Sequence, residues 1–138
     1  MSPTLEDKLS IHELLSRSAY AFDIQDLPML EACFTEDAEF SMRIGGGDLV
    51  GPFEGRAAIM TLMADSIDVQ TDVRKHVISN IFFDESANQP MVTSNLTLIS
   101  TENGETKVLT AGFYRDTVVK EDGGWRVSNR FIELDRAY

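Results

Sequence analysis

Apolar residues recur at a spacing of about 3.6 positions over the first stretch of the chain, about 4–24, and this spacing predicts an amphipathic helix. Its apolar positions are Leu5, Leu9, Ile11, Leu14, Leu15, Ala19 and Phe22. Asp26 is typical of an N-cap and Pro28 of a first turn, so a second, short helix is expected next. That helix carries Leu27, Leu30, Ala32 and Phe34. A third helix is expected to open at Gly55, with Ile59, Leu62, Met63 and Ile67 along one side.

Alternation of apolar and polar residues from Ala38 to Ile44 predicts a half-buried strand. The segment Gly45–Asp48 is expected to form a hairpin turn, after which a short second strand reaches Phe53. Beyond residue 72 the pattern changes to four long strands, predicted at Val73–Asp84, Met91–Thr101, Thr106–Lys120 and Trp125–Asp135. Short segments rich in turn-forming residues separate them, at 87–90, 102–105 and 121–124, so consecutive strands are expected to pair as antiparallel hairpins.

Helices followed by a long β-meander predict an α+β fold in a single domain that spans residues 1–138. The predicted strands are long compared with the usual five or six residues, so they must twist and bend. A strongly curved sheet covered by helices encloses a cavity, and a cavity of this kind is where a small ligand binds. We therefore expect a pocket between the helices and the sheet.

The charge of the chain excludes some partners. It has 12 basic and 23 acidic side chains, which gives a formal net charge of −11. This excess argues against nucleic acid, which requires clustered Lys and Arg, and against an anionic membrane surface. The 43% share of hydrophobic residues is typical of a globular domain rather than a disordered chain.

The chain carries one cysteine, Cys33, which excludes an intrachain disulfide and a cysteine metal cluster. No apolar stretch approaches the roughly 18 residues that a transmembrane helix needs. The first residues lack the basic region and apolar run of a signal peptide. A cytoplasmic location is therefore expected.

Two histidines are present, and they are predicted to have different surroundings. His12 lies among polar neighbours in the first helix and is expected to face solvent. His76 lies on the first long strand, where alternation places it on one face with Arg74, Ile78, Asn80 and Phe82. The opposite face would then carry Val77, Ser79, Ile81 and Phe83. A face that mixes polar and apolar groups beneath helices is typical of a pocket wall, although a structural role for His76 remains open.

Asp23 ends the predicted first helix, and Tyr20 lies one turn before it on the same face. One interpretation is that Asp23 only braces the loop to the second helix. The alternative is that it is the one carboxylate in the interior and lies beside an imidazole. A carboxylate there would fix the tautomer of the ring and stabilise its protonated form, which makes a general base.

Other chemistries receive less support from the residues. A zinc site needs several ligands, and one interior histidine with scattered carboxylates is weak support for it. Cys33 between Ala32 and Phe34 is better explained as a small core residue than as a nucleophile for His76. The triple glycine is not followed by the Gly-Lys-Ser/Thr of a phosphate loop. The methionines, Met42 among them, fit an apolar core or soft cavity walls, and we expect Phe40 on the same strand to contact a ligand there.

The chain resembles SnoaL-like proteins of the nuclear-transport-factor-2-like superfamily over almost its whole length. The matching segments are Ile11–Leu15, Ala21–Asp26, Phe34–Ala38, Gly51–Ile59, Lys75–Asn80, Gly112–Asp116 and Gly124–Val127 with Arg130. This resemblance implies a cone, in which a curved mixed sheet wraps around N-terminal helices and encloses an apolar pocket. It also implies no cofactor and a homodimer that forms through the exposed face of the sheet.

In the branch of scytalone dehydratase, bile-acid dehydratase and lindane dehydrochlorinase, an Asp at the end of the first helix pairs with a strand His. Asp23 and His76 match these positions, so the resemblance implies a catalytic dyad. The sequence departs from the dehydratase pattern in two ways: Ser18 stands where several members have Tyr, and no histidine follows His76. Tyr20 could replace the missing tyrosine. Tyr114, Asn95 and Arg130 are the other candidates to bind or polarise a substrate.

Two hypotheses therefore remain, and we favour the first. The chain is a cofactor-free lyase or isomerase for a small hydrophobic molecule that contains a carbonyl group or a ring. Alternatively, it is a non-catalytic ligand-binding protein, or it resembles the small subunit of an aromatic-ring-hydroxylating dioxygenase.

Overall fold

The computed structural model describes residues 2–85 and 89–138, and over these residues it contains three helices and six strands in the predicted order. The helices are α1 (Leu5–Asp23), α2 (Leu27–Glu31) and α3 (Arg56–Asp68). The strands are β1 (Phe34–Ile44), β2 (Val50–Glu54), β3 (Val73–Asp84), β4 (Met91–Glu102), β5 (Glu105–Glu121) and β6 (Gly124–Leu134). Of the turn predicted at 87–90, residues 87 and 88 lie outside the described residues.

The first two helices begin at side-chain caps. At the start of α1, the Thr4 hydroxyl accepts from the backbone N–H of Asp7 at 3.1 Å. In return, the Asp7 carboxylate accepts from the backbone N–H of Thr4 at 2.9 Å. Asp26 caps α2 as predicted, because its carboxylate accepts from the backbone N–H of Met29 at 3.1 Å. The prediction that Phe34 belongs to α2 was wrong: the helix ends at Glu31, and Phe34 begins β1 with its ring buried in the core.

All six strands form one sheet in the order β2-β1-β6-β5-β4-β3, which confirms the α+β class and the curved sheet. The last four strands are the predicted antiparallel meander. The hairpin predicted at Gly45–Asp48 joins β1 to its antiparallel neighbour β2. β1 also pairs with β6, and this pairing is parallel. It joins the β1–β2 hairpin to the meander and so brings together two strands that are far apart in the chain.

A bulge in β3 overturns part of the predicted alternation. The register shifts between Ser79 and Phe82, and Asn80 has a φ of 54°. Before the bulge, Arg74, His76 and Ile78 share the concave face as predicted. After it the faces exchange, so Ile81 and Phe83 pack against the core and Phe82 is 60% exposed. The predicted placement of Asn80 and Phe82 beside His76 was therefore wrong.

The core lies between the helices and the concave face of the sheet. The outer face carries Phe113 and Phe131, whose ring centroids are 6.2 Å apart. The guanidinium of Arg115 lies over Phe113, and that of Arg43 over Phe131. The homodimer expected through this face stays a prediction. Among the described residues, none of the helices has the length and apolar character needed to cross a bilayer.

Candidate active site

Asp23 and His76 meet where the end of α1 crosses β3. Asp23 Oδ1 lies 2.6 Å from His76 Nδ1, and the same carboxylate accepts from the His76 backbone N–H at 3.1 Å and 3.0 Å. The two side chains are 14% and 12% exposed. The imidazole therefore has its position and its ring orientation fixed by one carboxylate through two different donors.

This contact determines the chemistry of the ring. An ionised carboxylate only accepts hydrogen bonds, so Nδ1 is the nitrogen that carries the proton toward Asp23. The other nitrogen, Nε2, is left with a lone pair while the ring is neutral. His76 lines a cavity, and the ring of Phe22 lies against it with the centroids 5.0 Å apart. A ring nitrogen with a lone pair, on an imidazole oriented by a largely buried carboxylate, is chemically able to accept a proton.

The cavity beside His76 has a volume of about 270 Å³. Most of its wall is apolar and comes from α1, α2, α3 and the concave face of the sheet: Phe22, Leu30, Phe34, Phe40, Met42, Ile44, Leu62, Met63, Leu96, Leu98, Ile132 and Leu134. Its polar lining consists of Ser18, Ser66, Arg74, His76, Tyr114, Arg130 and Tyr138. An apolar cavity with a few convergent polar groups is typical of a site for a small molecule.

Arg130 brings a cation into this cavity. Its Nε and Nη2 donate to the two oxygens of Asp116 at 2.8 Å and 3.1 Å, and Nη2 also lies 3.4 Å from the Ser18 hydroxyl. Burial by itself would lower the pKa of Arg130, but the charge and hydrogen bonds of Asp116 outweigh it and raise that pKa. The guanidinium is therefore a permanent cation. Asp116 is completely buried, so the expectation that Asp23 is the only interior carboxylate was wrong.

Tyr114 lies beside this pair. The Arg130 guanidinium is 4.6 Å from the centroid of the tyrosine ring. Burial raises the pKa of the Tyr114 phenol far above its ordinary value, although the charge of Arg130 opposes this. Among the described residues the hydroxyl has no hydrogen-bond partner, and Tyr114 lines the cavity. It is a neutral phenol that can donate to a ligand.

Most of the residues expected to form the site lie around one cavity: Phe40, Met42, His76, Tyr114 and Arg130 line it, and Asp23 is bonded to His76. Two do not. Tyr20 is 57% exposed on α1, because helical spacing turns its neighbours Ser18 and Ala19 toward the cavity instead. Asn95 is exposed on the outer face of β4, because alternation directs Leu96 inward. Neither side chain lines this cavity. His12 is exposed, as predicted.

Sequence reasoning missed Asp116 and Arg74. Alternation along β5 was a usable signal for Asp116, because it lies two positions from Tyr114 and so on the same face. Arg74 was placed on the face of His76 but was not proposed to contact a ligand. Among the described residues, no three His, Cys, Asp or Glu side chains come together in a way that could hold a metal ion. Cys33 is buried, and burial raises the pKa of its thiol.

Comparison with known proteins relates this geometry to a family. The model of the SnoaL-like domain family matches residues 3–131. A protein of unknown function with a cystatin-like fold from Nostoc punctiforme is 24% identical, with a TM-score of 0.81 over 98% of this chain and 96% of the other. Aln2 from a Streptomyces species is 25% identical, with a TM-score of 0.80 over 98% and 95%. A scytalone dehydratase-like protein from Novosphingobium aromaticivorans is 26% identical, with a TM-score of 0.75 over 94% and 85%.

No protein of curated function matches the chain significantly. The family match covers nearly the whole chain, and the structural neighbours share its fold from end to end. The chain therefore belongs to the SnoaL-like domain family, within the nuclear-transport-factor-2-like fold that includes polyketide cyclases and dehydratases.

Proposed function

We propose that the protein is a cofactor-free acid–base enzyme, a lyase or isomerase of the dehydratase type. Its substrate is a small hydrophobic molecule that contains a carbonyl group or a ring and fits the apolar cavity. The observation that carries the proposal is the contact of 2.6 Å between Asp23 Oδ1 and His76 Nδ1 at the cavity wall.

His76 acts as the base in this proposal. Its Nε2 lone pair takes a proton from a carbon next to the substrate carbonyl, and the electron pair of that C–H bond moves onto the carbonyl oxygen to give an enolate. Asp23 accepts from Nδ1–H throughout and stabilises the imidazolium that forms. If a β,γ double bond extends the enolate, the imidazolium then returns the proton to the γ-carbon, which is isomerisation. If the β-carbon carries a hydroxyl, the proton goes to that departing hydroxyl as the α,β double bond forms, which is dehydration.

Arg130 and Tyr114 are the groups placed to stabilise the enolate oxygen. Arg130 stays charged, and its pairing with Asp116 fixes its orientation without occupying Nη1. The Tyr114 hydroxyl has no other partner among the described residues. Donors fixed in a water-poor cavity stabilise developing charge more strongly than water does, because they need no reorganisation during the reaction.

Deuterium exchange tests the base whichever product the reaction forms. We expect the protein to accelerate exchange of the α-hydrogens of 1-tetralone or 2-tetralone in D₂O, followed by proton NMR. Removal of the base by His76→Ala should reduce the catalysed rate about 10²- to 10⁴-fold. Asp23→Asn should cause a loss in the same range, because an amide no longer stabilises the imidazolium.

The exposed His12 provides the matched control. His12→Ala removes an imidazole that lies outside the cavity and should keep the wild-type exchange rate. The proposal would be contradicted by a wild-type rate no higher than that of buffer. It would also be contradicted by a His76→Ala variant as active as the wild type, or by equal losses in the two histidine variants.

A further inference from the structure

Three basic side chains line the cavity, and each is paired with a carboxylate that lies behind it rather than in the lining. The pairs are His76 with Asp23, Arg130 with Asp116 and Arg74 with Asp72. Behind the wall, carboxylates hold Arg74 and Arg130, whose guanidinium groups present N–H donors to the cavity, while neutral His76 presents the lone pair of Nε2. A ligand that fills this cavity must bring acceptor groups to the wall, because a desolvated donor without a partner is costly.

Arg74 is the member of this set that the proposed reaction does not use. Its Nε lies 3.0 Å from each oxygen of Asp72, and Asp72 also accepts from the Ser100 hydroxyl. The ring of Tyr138 covers the guanidinium, with its centroid 5.1 Å from Cζ. The side chains of Arg74 and Asp72 are 19% and 7% exposed. Arg74 is thus held from one edge and covered on one face.

The other edge of the guanidinium, formed by Nη1 and Nη2, has no partner among the described residues. Two parallel N–H donors at that edge match the two oxygens of a carboxylate. Asp72 fixes the direction of this edge without occupying it. A guanidinium arranged in this way is already oriented for a planar anion.

The position of Arg74 on β3 places such an anion in the same cavity as the base. Arg74 and His76 are two positions apart on the same strand and both line the cavity. Residues at this spacing share a face and lie about 7 Å apart along the strand. One small molecule can therefore contact both side chains at the same time.

We propose that Arg74 is an anion subsite and that the substrate is a cyclic, mostly apolar carboxylic acid. Its carboxylate binds the Nη1 and Nη2 edge of Arg74, and its ring lies along β3 with the reacting carbon at His76. This assignment rests on the proposed function for the role of His76. The net charge of −11 does not oppose it at the site, because charges beyond about 8 Å are screened at physiological salt.

Calorimetric binding of a matched pair of probes tests the subsite. 2-Naphthoate and 2-naphthamide have the same shape, but only the first is charged at pH 7.5, and in neither does the carbon next to the carbonyl group carry a hydrogen. We expect the wild type to bind 2-naphthoate about tenfold more tightly, because a charge-assisted pair is stronger than a neutral hydrogen bond. In Arg74→Gln most of this preference should be lost, with the affinity for 2-naphthamide unchanged.

Two further variants make the result specific. Arg74→Lys keeps the charge and should keep part of the preference, provided that circular dichroism shows a folded protein. Arg43→Gln removes an arginine from the outer face, where it lies over Phe131, and should leave the preference intact. Equal affinities in the wild type, no measurable binding of 2-naphthoate, or an unchanged preference in Arg74→Gln would each overturn the subsite.

This experiment does not depend on turnover. His76→Ala should retain the preference for 2-naphthoate, since Arg74 and Asp72 are untouched. A failed subsite with an intact effect of His76→Ala on deuterium exchange would leave the acid–base proposal standing. A confirmed subsite with no effect of His76→Ala on exchange would leave the anion subsite standing and contradict the acid–base proposal.

Discussion

The guanidinium of Arg130 donates to both oxygens of Asp116, at 2.8 Å and 3.1 Å, from adjacent strands at the back of the cavity. The Asp116 side chain is completely buried and that of Arg130 is 9% exposed. Removing two charges from water costs several kcal/mol for each ion, and only close, well-oriented pairing offsets that cost. The pair therefore stabilises the fold and also places a cation at the cavity wall.

Loss of one partner should destabilise the fold strongly. Arg130→Met leaves the Asp116 carboxylate buried without a counter-charge, and we expect the free energy of unfolding to fall by about 3–5 kcal/mol. Urea denaturation at pH 7, followed by circular dichroism, measures the change. The double variant with Arg130→Met and Asp116→Leu should regain most of this loss, because it buries no unpaired charge. A double variant as unstable as Arg130→Met would contradict the explanation.

Gly112 is a position where β5 approaches β6 too closely for any side chain. A Cβ built at this residue would lie 2.0 Å from the carbonyl oxygen of Glu133 on the neighbouring strand. Backbone cannot move aside as a flexible side chain does, so Gly112→Ala must displace one strand of the pair. We expect an unfolded or aggregated product, or a loss of several kcal/mol in urea denaturation.

Gly124 is the matched control, because it lies on β6 and a Cβ there meets no atom within 4 Å. Gly124→Ala should change the stability by less than about 1 kcal/mol, and its thermal melt should resemble that of the wild type. Comparable losses in the two variants would mean that the close approach at Gly112 is not the cause.

The strand boundaries were predictable because turn-forming residues mark them. Segments such as Glu102–Glu105 carry residues suited to a positive φ, as Asn103 and Gly104 show at 55° and 75°. The bulge in β3 was not predictable in this way. It lies inside a strand rather than between strands, at Asn80, and the residues on both sides of Asn80 continue the strand.

The contacts that build the site join distant residues. Asp23 and His76 are 53 positions apart, so periodicity placed each residue on its element without showing that they meet. The family resemblance supplied that pairing. The outward positions of Tyr20 and Asn95 were predictable from the sequence. Alternation with Leu96 directs Asn95 outward, and helical spacing gives the inward position to Ser18 rather than to Tyr20.

Arg130 and Asp116 show a different limit of prediction from sequence. Each is an ordinary polar residue in a strand with several others, and only the register of β5 with β6 makes them direct partners. The apolar-polar alternation along a strand indicates which face of the sheet a residue occupies. The residue beside it on the neighbouring strand depends on how the strands pair. A charged residue on a buried face is therefore a sign of an unseen partner, and this sign was available for Asp116.

Burial raises the pKa of Tyr114 above its ordinary value of 10.0, and this raises a testable expectation for alkaline pH. A group whose neutral form is favoured by folding binds more protons in the folded than in the unfolded state once the pH exceeds its unfolded pKa. Its contribution to stability is complete below about pH 10 and is lost as the pH rises further. The Tyr114 hydroxyl should thus stay protonated in the folded protein at pH values where an exposed tyrosine ionises.

Tyr114→Phe removes this one titration. Between about pH 10 and 11, the free energy of unfolding of the wild type should fall more steeply than that of the variant, by up to about 1.4 kcal/mol per pH unit. Urea denaturation across this range measures both slopes. The folded wild type should also show no tyrosinate absorbance beyond that of Tyr114→Phe, because the buried phenol does not ionise. Parallel slopes, or extra tyrosinate in the folded wild type, would mean that Tyr114 is open to water and is not a neutral donor in the cavity.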